Sequence, residues 1–264
     1  MLAFAGNSLL CRLALTRTGI DAASFTALRL ASGALLLYLL VRLRRGGGAP
    51  TGNWVSALAL FGYAAAFSFA YLSLTAATGA LLLFGAVQIT MSGYGLCGGE
   101  RLRLHQWTGL TVATAGLVGL LLPGLSAPPW QGALLMFGAG AAWGIYSLRG
   151  RTTGSPVEAT AGNFLRATLF AAVLSILLLA DSAVDARGVA CAVASGALAS
   201  GLGYVLWYQA LAELRATSAG IVQLSVPALA AVGGSLLLDE PVTLHLLLAS
   251  AAILGGVALA TVRR

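Results

Sequence analysis

Long apolar runs alternate with short polar connections from one end of the chain to the other. A helix needs about 20 mainly apolar residues to cross the hydrocarbon of a bilayer, and most runs have that length. The pattern therefore predicts an all-α membrane protein with ten transmembrane helices. The expected spans are Leu2–Thr16, Ala23–Leu43, Trp54–Thr75, Thr78–Gly98, Gln106–Leu122, Gln131–Leu148, Ala159–Ala180, Val189–Leu211, Thr217–Leu238 and Leu244–Val262.

The first apolar run begins almost at Met1 and has the composition of a signal-peptide core. It has no basic segment in front of it, and nine further apolar runs follow. We therefore interpret it as the first membrane helix. It is short for a span, so a natural start further upstream is left open.

Composition supports a lipid environment. Hydrophobic residues make up 59% of the chain and charged residues only 9%, whereas a soluble domain has about 25% charged residues. The net charge of +7 does not indicate a nucleic-acid partner, because the arginines stand singly or in pairs between apolar runs.

The arginines between the runs also predict an orientation. With the N-terminus in the cytoplasm, ten connecting or terminal arginines fall inside and only Arg17 and Arg187 fall outside. This is the positive-inside distribution of membrane proteins. We expect both termini in the cytoplasm.

The two halves of the sequence repeat each other. At an offset of 140 residues Glu100 matches Glu240 and His105 matches His245, and with a small adjustment Arg29 falls near Arg166. Charged residues are rare here, so these matches carry weight. Five helices in each half place the halves upside down relative to each other. We expect two inverted five-helix repeats, residues 1–125 and 126–264, around a central cavity.

Several short motifs carry a family resemblance. They are Leu28-Arg29, Leu165-Arg166, the run from Ala141 to Ser147, Ser225-Val226-Pro227 and Leu238-Asp239-Glu240-Pro241. In order and spacing the chain resembles the EamA-type ten-helix members of the drug/metabolite transporter superfamily, and most of all bacterial exporters of aromatic and other hydrophobic amino acids. The resemblance implies a place in the bacterial inner membrane and a cavity lined by helices 1, 3, 4, 6, 8 and 9, with helices 5 and 10 peripheral.

Polar and aromatic residues on those helices are the candidates for lining the cavity, because polar groups in hydrocarbon are costly unless they face protein, water or substrate. Packing inside the bundle, or hydrogen bonds that tie helices together, is the alternative for each. The candidate substrate-binding residues are Asn7, Phe67, Tyr71, Gln88, Ser92, Trp143, Tyr146, Tyr204, Trp207 and Gln223.

Arg29 and Arg166 are charges inside predicted spans. They could reach the headgroups, anchor a helix or bind a substrate carboxylate; we favour a structural role because they recur symmetrically on helices 2 and 7. Pro227 predicts a kink in helix 9. Glu100 and Glu240 are expected to start helices 5 and 10, and Arg12 is given no special role.

What the sequence lacks narrows the function. A carrier of cationic drugs is expected to keep a buried carboxylate, and no Asp or Glu lies mid-span. Catalytic motifs, metal-ligand spacing and cofactor motifs are not found. We expect no enzyme activity, cofactor or bound metal.

The expected function is export of neutral amino acids or similar small metabolites by alternating access, with membrane lipid as the surroundings. The alternative is a non-transporting membrane protein, such as a lipid-handling enzyme or an assembly scaffold. Small residues on helices 5 and 10 suit either internal packing or a homodimer contact.

Overall fold

The computed structural model describes residues 1–43, 48–98, 103–121, 128–150, 154–213, 223 and 225–261. These residues form helices and short connections, with no strand among them. The helices are α1 (Leu2–Arg17), α2 (Ala22–Leu43), α3 (Trp54–Ala70), α4 (Ala76–Cys97), α5 (Leu104–Leu121), α6 (Trp130–Gly150), α7 (Pro156–Leu177), α8 (Ala186–Val193), α9 (Gly203–Glu213), α10 (Ser225–Leu238) and α11 (Leu244–Thr261).

α8 and α9 form one continuous helix, because a π-helical segment, Ala194–Leu202, joins them without a break. Elsewhere the helix ends lie close to the expected spans. The largest difference is at α3, which ends at Ala70 rather than Thr75. A turn follows, and the Thr75 side chain then accepts a hydrogen bond from the Thr78 amide and begins α4. The start of the ninth expected span falls outside the described residues.

The outer surface of the bundle is apolar. Among the described residues, four helical stretches are long and apolar enough to cross a membrane: Ala22–Leu43, Ala76–Cys97, Pro156–Leu177 and Ala186–Leu211. Leucines and isoleucines such as Leu35, Leu134, Ile176 and Leu236 point outward. Such a surface is stable in lipid rather than in water, so the fold is that of a membrane protein.

The helices pack in a pattern that places α1, α3, α4, α6, the π segment and α10 at the centre. α2 packs along α7, and α6 packs against both α3 and α4. α1 contacts the π segment and α10, while α4 also contacts α10. α5 and α11 form a separate pair at the edge of the bundle.

Close backbone contact holds the α5–α11 pair together. A Cβ on Gly109 would collide with the backbone of Gly256 and Ala260, and a Cβ on Gly256 would collide with the backbone of Ala113. Two helices can approach this closely only where a residue has no side chain. The small residues of these helices therefore serve internal packing at this contact.

Candidate functional site

Aromatic rings from five helices and the adjoining turn meet at the centre of the bundle. Trp143 of α6 lies 4.6 Å from Tyr204 of α9 and 5.1 Å from Tyr63 of α3, measured between ring centroids. Phe4 of α1 packs edge-on against Trp143, Tyr204 and Trp207. We call this group the aromatic cluster; its members are Phe4, Tyr63, Phe67, Tyr71, Trp143, Tyr146, Phe164, Tyr204, Trp207 and Tyr208, all buried.

The cation of Arg29 lies inside the aromatic cluster. Arg29 of α2 is only 1% exposed. Its Nη2 donates hydrogen bonds to the hydroxyls of Tyr63 (3.0 Å) and Tyr204 (3.1 Å), and its Nε donates to Ser200 Oγ (3.1 Å). The guanidinium also lies 5.0 Å from the Phe67 ring centroid, a distance at which a cation is attracted to an aromatic face.

The π segment brings its hydroxyls to Arg29. π-helical turns in α-helices occur frequently at functional sites. Gly196 lies directly against α2, where a Cβ would collide with the carbonyl oxygen of Arg29 and with Ser32. This close approach places Ser200 within hydrogen-bonding distance of the Arg29 side chain.

Two amides extend the polar part of the site. Asn7 of α1 donates to the Tyr63 hydroxyl (3.1 Å) and accepts from Ser195 of the π segment (2.5 Å). Gln223 accepts from the indole nitrogen of Trp143 (3.2 Å). Hydrogen bonds to neutral groups thus connect α1, α2, α3, the π segment and α9 around the rings, and one joins α6 to Gln223.

Several buried polar atoms around the aromatic cluster have no hydrogen-bond partner among the described residues. They are Arg29 Nη1, Ser8 Oγ, the Tyr146 hydroxyl and the Trp207 indole nitrogen. Buried polar groups in proteins are normally paired, so these unpaired ones need an explanation. Here they mark the region where the protein offers hydrogen bonds that it does not itself use.

The family model that matches this chain is the EamA-like transporter family, and it matches residues 130–262. The chain belongs to this family. An uncharacterized protein of Pseudomonas aeruginosa is 58% identical to it, covering 98% of this chain and 91% of that protein. An uncharacterized transporter of Archaeoglobus fulgidus is 26% identical, covering 100% of this chain and 95% of that protein.

A second group of relatives has a named substrate. The threonine/homoserine exporter RhtA of Escherichia coli is 34% identical over 56% of this chain and 51% of the exporter. One solved crystal structure covers 98% of this chain and 96% of its own with a TM-score of 0.71, at 22% identity. It shares the fold. As a member of the EamA-like family, this chain is a membrane transporter of a bacterial membrane.

Most of the residues expected to line a cavity are brought together in this EamA-family fold. Around the aromatic cluster lie Asn7, Phe67, Tyr71, Trp143, Tyr146, Tyr204, Trp207 and Gln223. Gln88 and Ser92 are not with them. They hydrogen-bond to each other on α4 (3.2 Å), and Gln88 lines a small space between α4, α5 and α11.

Sequence reasoning missed Phe4, Phe164, Ser195 and Ser200 as parts of the site. Phe4 stands in a leucine- and alanine-rich run that gives no signal of its own. The serines stand in Ala194-Ser195-Gly196-Ala197-Leu198-Ala199-Ser200-Gly201, and this cluster of small residues was the available signal for close helix approach.

The two intramembrane arginines occupy different environments. Headgroup contact, one of the options for Arg29, is wrong because its side chain is enclosed in the bundle. Arg166 is partly exposed on α7, donates to the carbonyl oxygens of Thr51 and Gly162, and lies against the Trp54 ring. It holds the connection before α3 against α7.

At one end of the bundle, Arg12 and Glu240 form an ion pair that sequence reasoning did not expect. Arg12 Nε lies 3.0 Å from Glu240 Oε1, and Arg12 also donates to the Tyr71 carbonyl. Glu240 Oε2 accepts from the Ala76 amide at 2.8 Å. Glu240 therefore stabilises the start of α4 and joins α1 to two connections, instead of starting α11 as expected.

Pro227 is buried and is the third residue of α10 as the structure describes that helix. A proline in the first turn breaks no hydrogen bond within its helix. Residue 224 lies outside the described residues, so a kink at Pro227 stays a prediction.

A polar cavity of about 190 Å³ lies at the opposite end from Glu240. Asn53, Ser56, Arg149, Asn163 and Tyr208 are among the residues that line it. Over the described residues, no group of three or more His, Cys, Asp or Glu side chains could hold a metal ion.

Proposed function

We propose that this chain is a secondary transporter that exports amino acids, aromatic or other hydrophobic or neutral ones, or similar small neutral metabolites, from a bacterial cell by alternating access. The observation that carries the proposal is the aromatic cluster at the centre of the bundle, with unpaired polar atoms around it. Aromatic faces suit an apolar side chain, and a few fixed polar groups suit its zwitterionic backbone. The threonine/homoserine export of a relative matching half of this chain supports the same class of solute.

We further propose that the chain crosses the membrane ten times, as two inverted repeats, residues 1–125 and 126–264. In such repeats we expect equivalent helices of the two halves to make equivalent contacts, and the helix contacts are in keeping with this expectation. α2 packs on its repeat counterpart α7, and α5 on its counterpart α11. The α3–α6 contact corresponds to the contact of α1 with the π segment. In the same way, the α4–α6 contact corresponds to the α1–α10 contact.

The contacts between connections are in keeping with an alternating path through the membrane and cytoplasmic termini. The connection before α2 meets the one before α8, where the Asp21 amide donates to the Ala183 carbonyl. At the other end Thr51 and Asn53 meet Glu158 and Asn163 of α7. The arginine distribution assigns the first group to the outside and the second to the cytoplasm.

Flux through purified protein tests the proposal. Proteoliposomes loaded with an unlabelled amino acid should accumulate the labelled form by exchange, with L-threonine, L-phenylalanine and L-methionine each tried. Trp207→Ala removes a buried ring of the aromatic cluster and should slow this exchange about tenfold or more. Leu206→Ala changes the neighbouring, outward-facing side chain and should leave it unchanged.

Equal counts in protein-containing and protein-free vesicles for all three amino acids would contradict amino-acid transport. Equal slowing by Trp207→Ala and Leu206→Ala would contradict a role for the aromatic cluster in the pathway.

A green fluorescent protein fused to the C-terminus should fluoresce, since it folds in the cytoplasm; a dark fusion at normal expression would contradict the proposed orientation.

A further inference from the structure

Arg29 is a buried cation that no carboxylate balances within the described part of the chain. The ion pairs found there join Arg12 to Glu240 and Arg17 to Asp239, both at one end of the bundle. Removing a charge from water costs several kcal/mol unless an opposite charge or a full set of hydrogen bonds replaces the water. The groups that contact Arg29 are neutral hydroxyls and aromatic faces.

The hydrogen bonds of Arg29 use only one side of its guanidinium. Nε and Nη2 are bonded to Ser200, Tyr63 and Tyr204, whereas Nη1 is buried and has no hydrogen-bond partner among the described residues. The hydroxyls thus hold the guanidinium plane in a fixed position while two N–H donors remain unused. The free Nη1 can therefore donate a charge-assisted hydrogen bond to a carboxylate oxygen.

We propose that Arg29 Nη1 binds the free carboxylate of the transported solute. The inference rests on the proposed transport function and adds a requirement to it: the solute must carry a carboxylate, as an amino acid does, and amines, amides and alcohols of the same shape are discriminated against. A solute carboxylate supplies the negative charge that the buried guanidinium lacks. The rings of Phe67, Tyr63 and Tyr204 then lie beside the rest of the solute.

The matching arginine of the second repeat provides a contrast. Arg166 Nη1 is already hydrogen-bonded to the carbonyl oxygens of Thr51 and Gly162, and its side chain is partly exposed at the edge of the bundle. It holds the connection before α3 against α7 and lies away from the aromatic cluster. Arg166 is therefore the natural control for substitutions at Arg29.

Binding to the purified full-length protein in nanodiscs tests the inference, with tryptophan fluorescence as the readout because Trp143 and Trp207 lie in the aromatic cluster. L-Phenylalanine, L-methionine and L-threonine are each compared with the amino alcohol that lacks the carboxylate. 3-Phenylpropionate, which has the carboxylate but no amine, is included as a further probe.

We expect the wild type to bind at least one amino acid about tenfold or more tightly than its own amino alcohol. It should also bind 3-phenylpropionate about tenfold or more tightly than the amino alcohol of phenylalanine. This is the range for a hydrogen bond to a charged group. Arg29→Met should reduce this preference to less than about threefold, and Arg166→Met should leave it intact. A preference that survives in Arg29→Met would overturn the inference. If Arg29→Met does not fold, the wild type decides: equal affinity for acid and alcohol overturns it.

Parallel flux measurements separate this inference from the proposed function. Carboxylate-selective binding without flux would overturn transport and leave the role of Arg29 standing. Flux without carboxylate selectivity would overturn the role of Arg29 and leave transport standing. Neither binding nor flux with any probe would overturn both.

Discussion

The ion pair between Arg12 and Glu240 should hold one end of the bundle closed, and Glu240→Gln should open it. Glu240 accepts from Arg12 Nε and from the Ala76 amide, so it connects α1, the start of α4 and the connection before α11. An alternating-access carrier must separate such elements to open that end. Glutamine keeps the size of the side chain and removes its charge.

The geometry gives the expected magnitude. The pair lies at 3.0 Å, with the Arg12 and Glu240 side chains 17% and 11% exposed, so solvent screens it less than a surface pair. A hydrogen bond between charged groups contributes about 1.5–3 kcal/mol, and the remaining exposure favours the lower limit. Because about 1.4 kcal/mol corresponds to a tenfold change in an equilibrium, we expect the open population to rise about tenfold.

Cys11 offers a native reporter for this opening. It adjoins Arg12 in α1 and is fully buried, with 0% exposure. In a background of Cys97→Ser and Cys191→Ser, a membrane-impermeant maleimide can react with Cys11 only when this end opens. The maleimide reaction rate is measured at several reagent concentrations, and variants are compared in the range where this rate is proportional to the open population.

Asp239→Asn is the matched control. Asp239 pairs with Arg17 at 3.2 Å, but the two side chains are 85% and 53% exposed, and exposed pairs contribute little. Its maleimide rate should stay within about twofold of the parent protein. Cys11 reactivity in Glu240→Gln that is no greater than in Asp239→Asn would refute the reasoning that this ion pair holds the end closed.

Three further outcomes are expected. Tyr63→Phe removes the acceptor of both Asn7 and Arg29 and should lower the thermal midpoint in detergent, at about 0.5–1.5 kcal/mol for the bond from the neutral amide and about 1.5–3 kcal/mol for the bond from the charged guanidinium. Tyr38→Phe, with one exposed partner, should leave the midpoint unchanged, and equal midpoints for the two variants would contradict this. Gly109→Val should separate α5 from α11 and lower the midpoint, and Gly255→Ala, which points into open space, should leave it unchanged. Burial opposes ionisation of Asp21, but hydrogen bonds from Ser24, Ala183 and Ala23 outweigh it and lower its pKa. Its stabilising contribution is therefore present above the ordinary aspartate pKa and is lost as the pH falls through the lowered value. Asp21→Asn should flatten this acid limb in a melting series, and an unchanged limb would refute it.

Helix positions, and many residues in and around the aromatic cluster, could be predicted from the sequence because both follow from the free-energy cost of placing polar groups in lipid. Apolar length marks a helix in lipid, and a polar or aromatic residue within that length needs a partner. This reasoning found Asn7, Trp143 and Tyr204. It could not separate Gln88 from them, because the direction of a side chain around α4 depends on which neighbours pack there, and α4 is buried on several faces.

The role of the arginines was less accessible for a physical reason that the repeat itself illustrates. The repeat aligns Arg29 with Arg166, and symmetry alone would give them one role. Their surroundings differ because the partner helix differs: the π segment presents Gly196 and Ser200 to α2, whereas α7 meets the connection containing Thr51. Repetition in the sequence therefore preserves the position of a charge without preserving its partners. The half in which one guanidinium nitrogen stays unbonded among the described residues is the half in which a binding role should be sought.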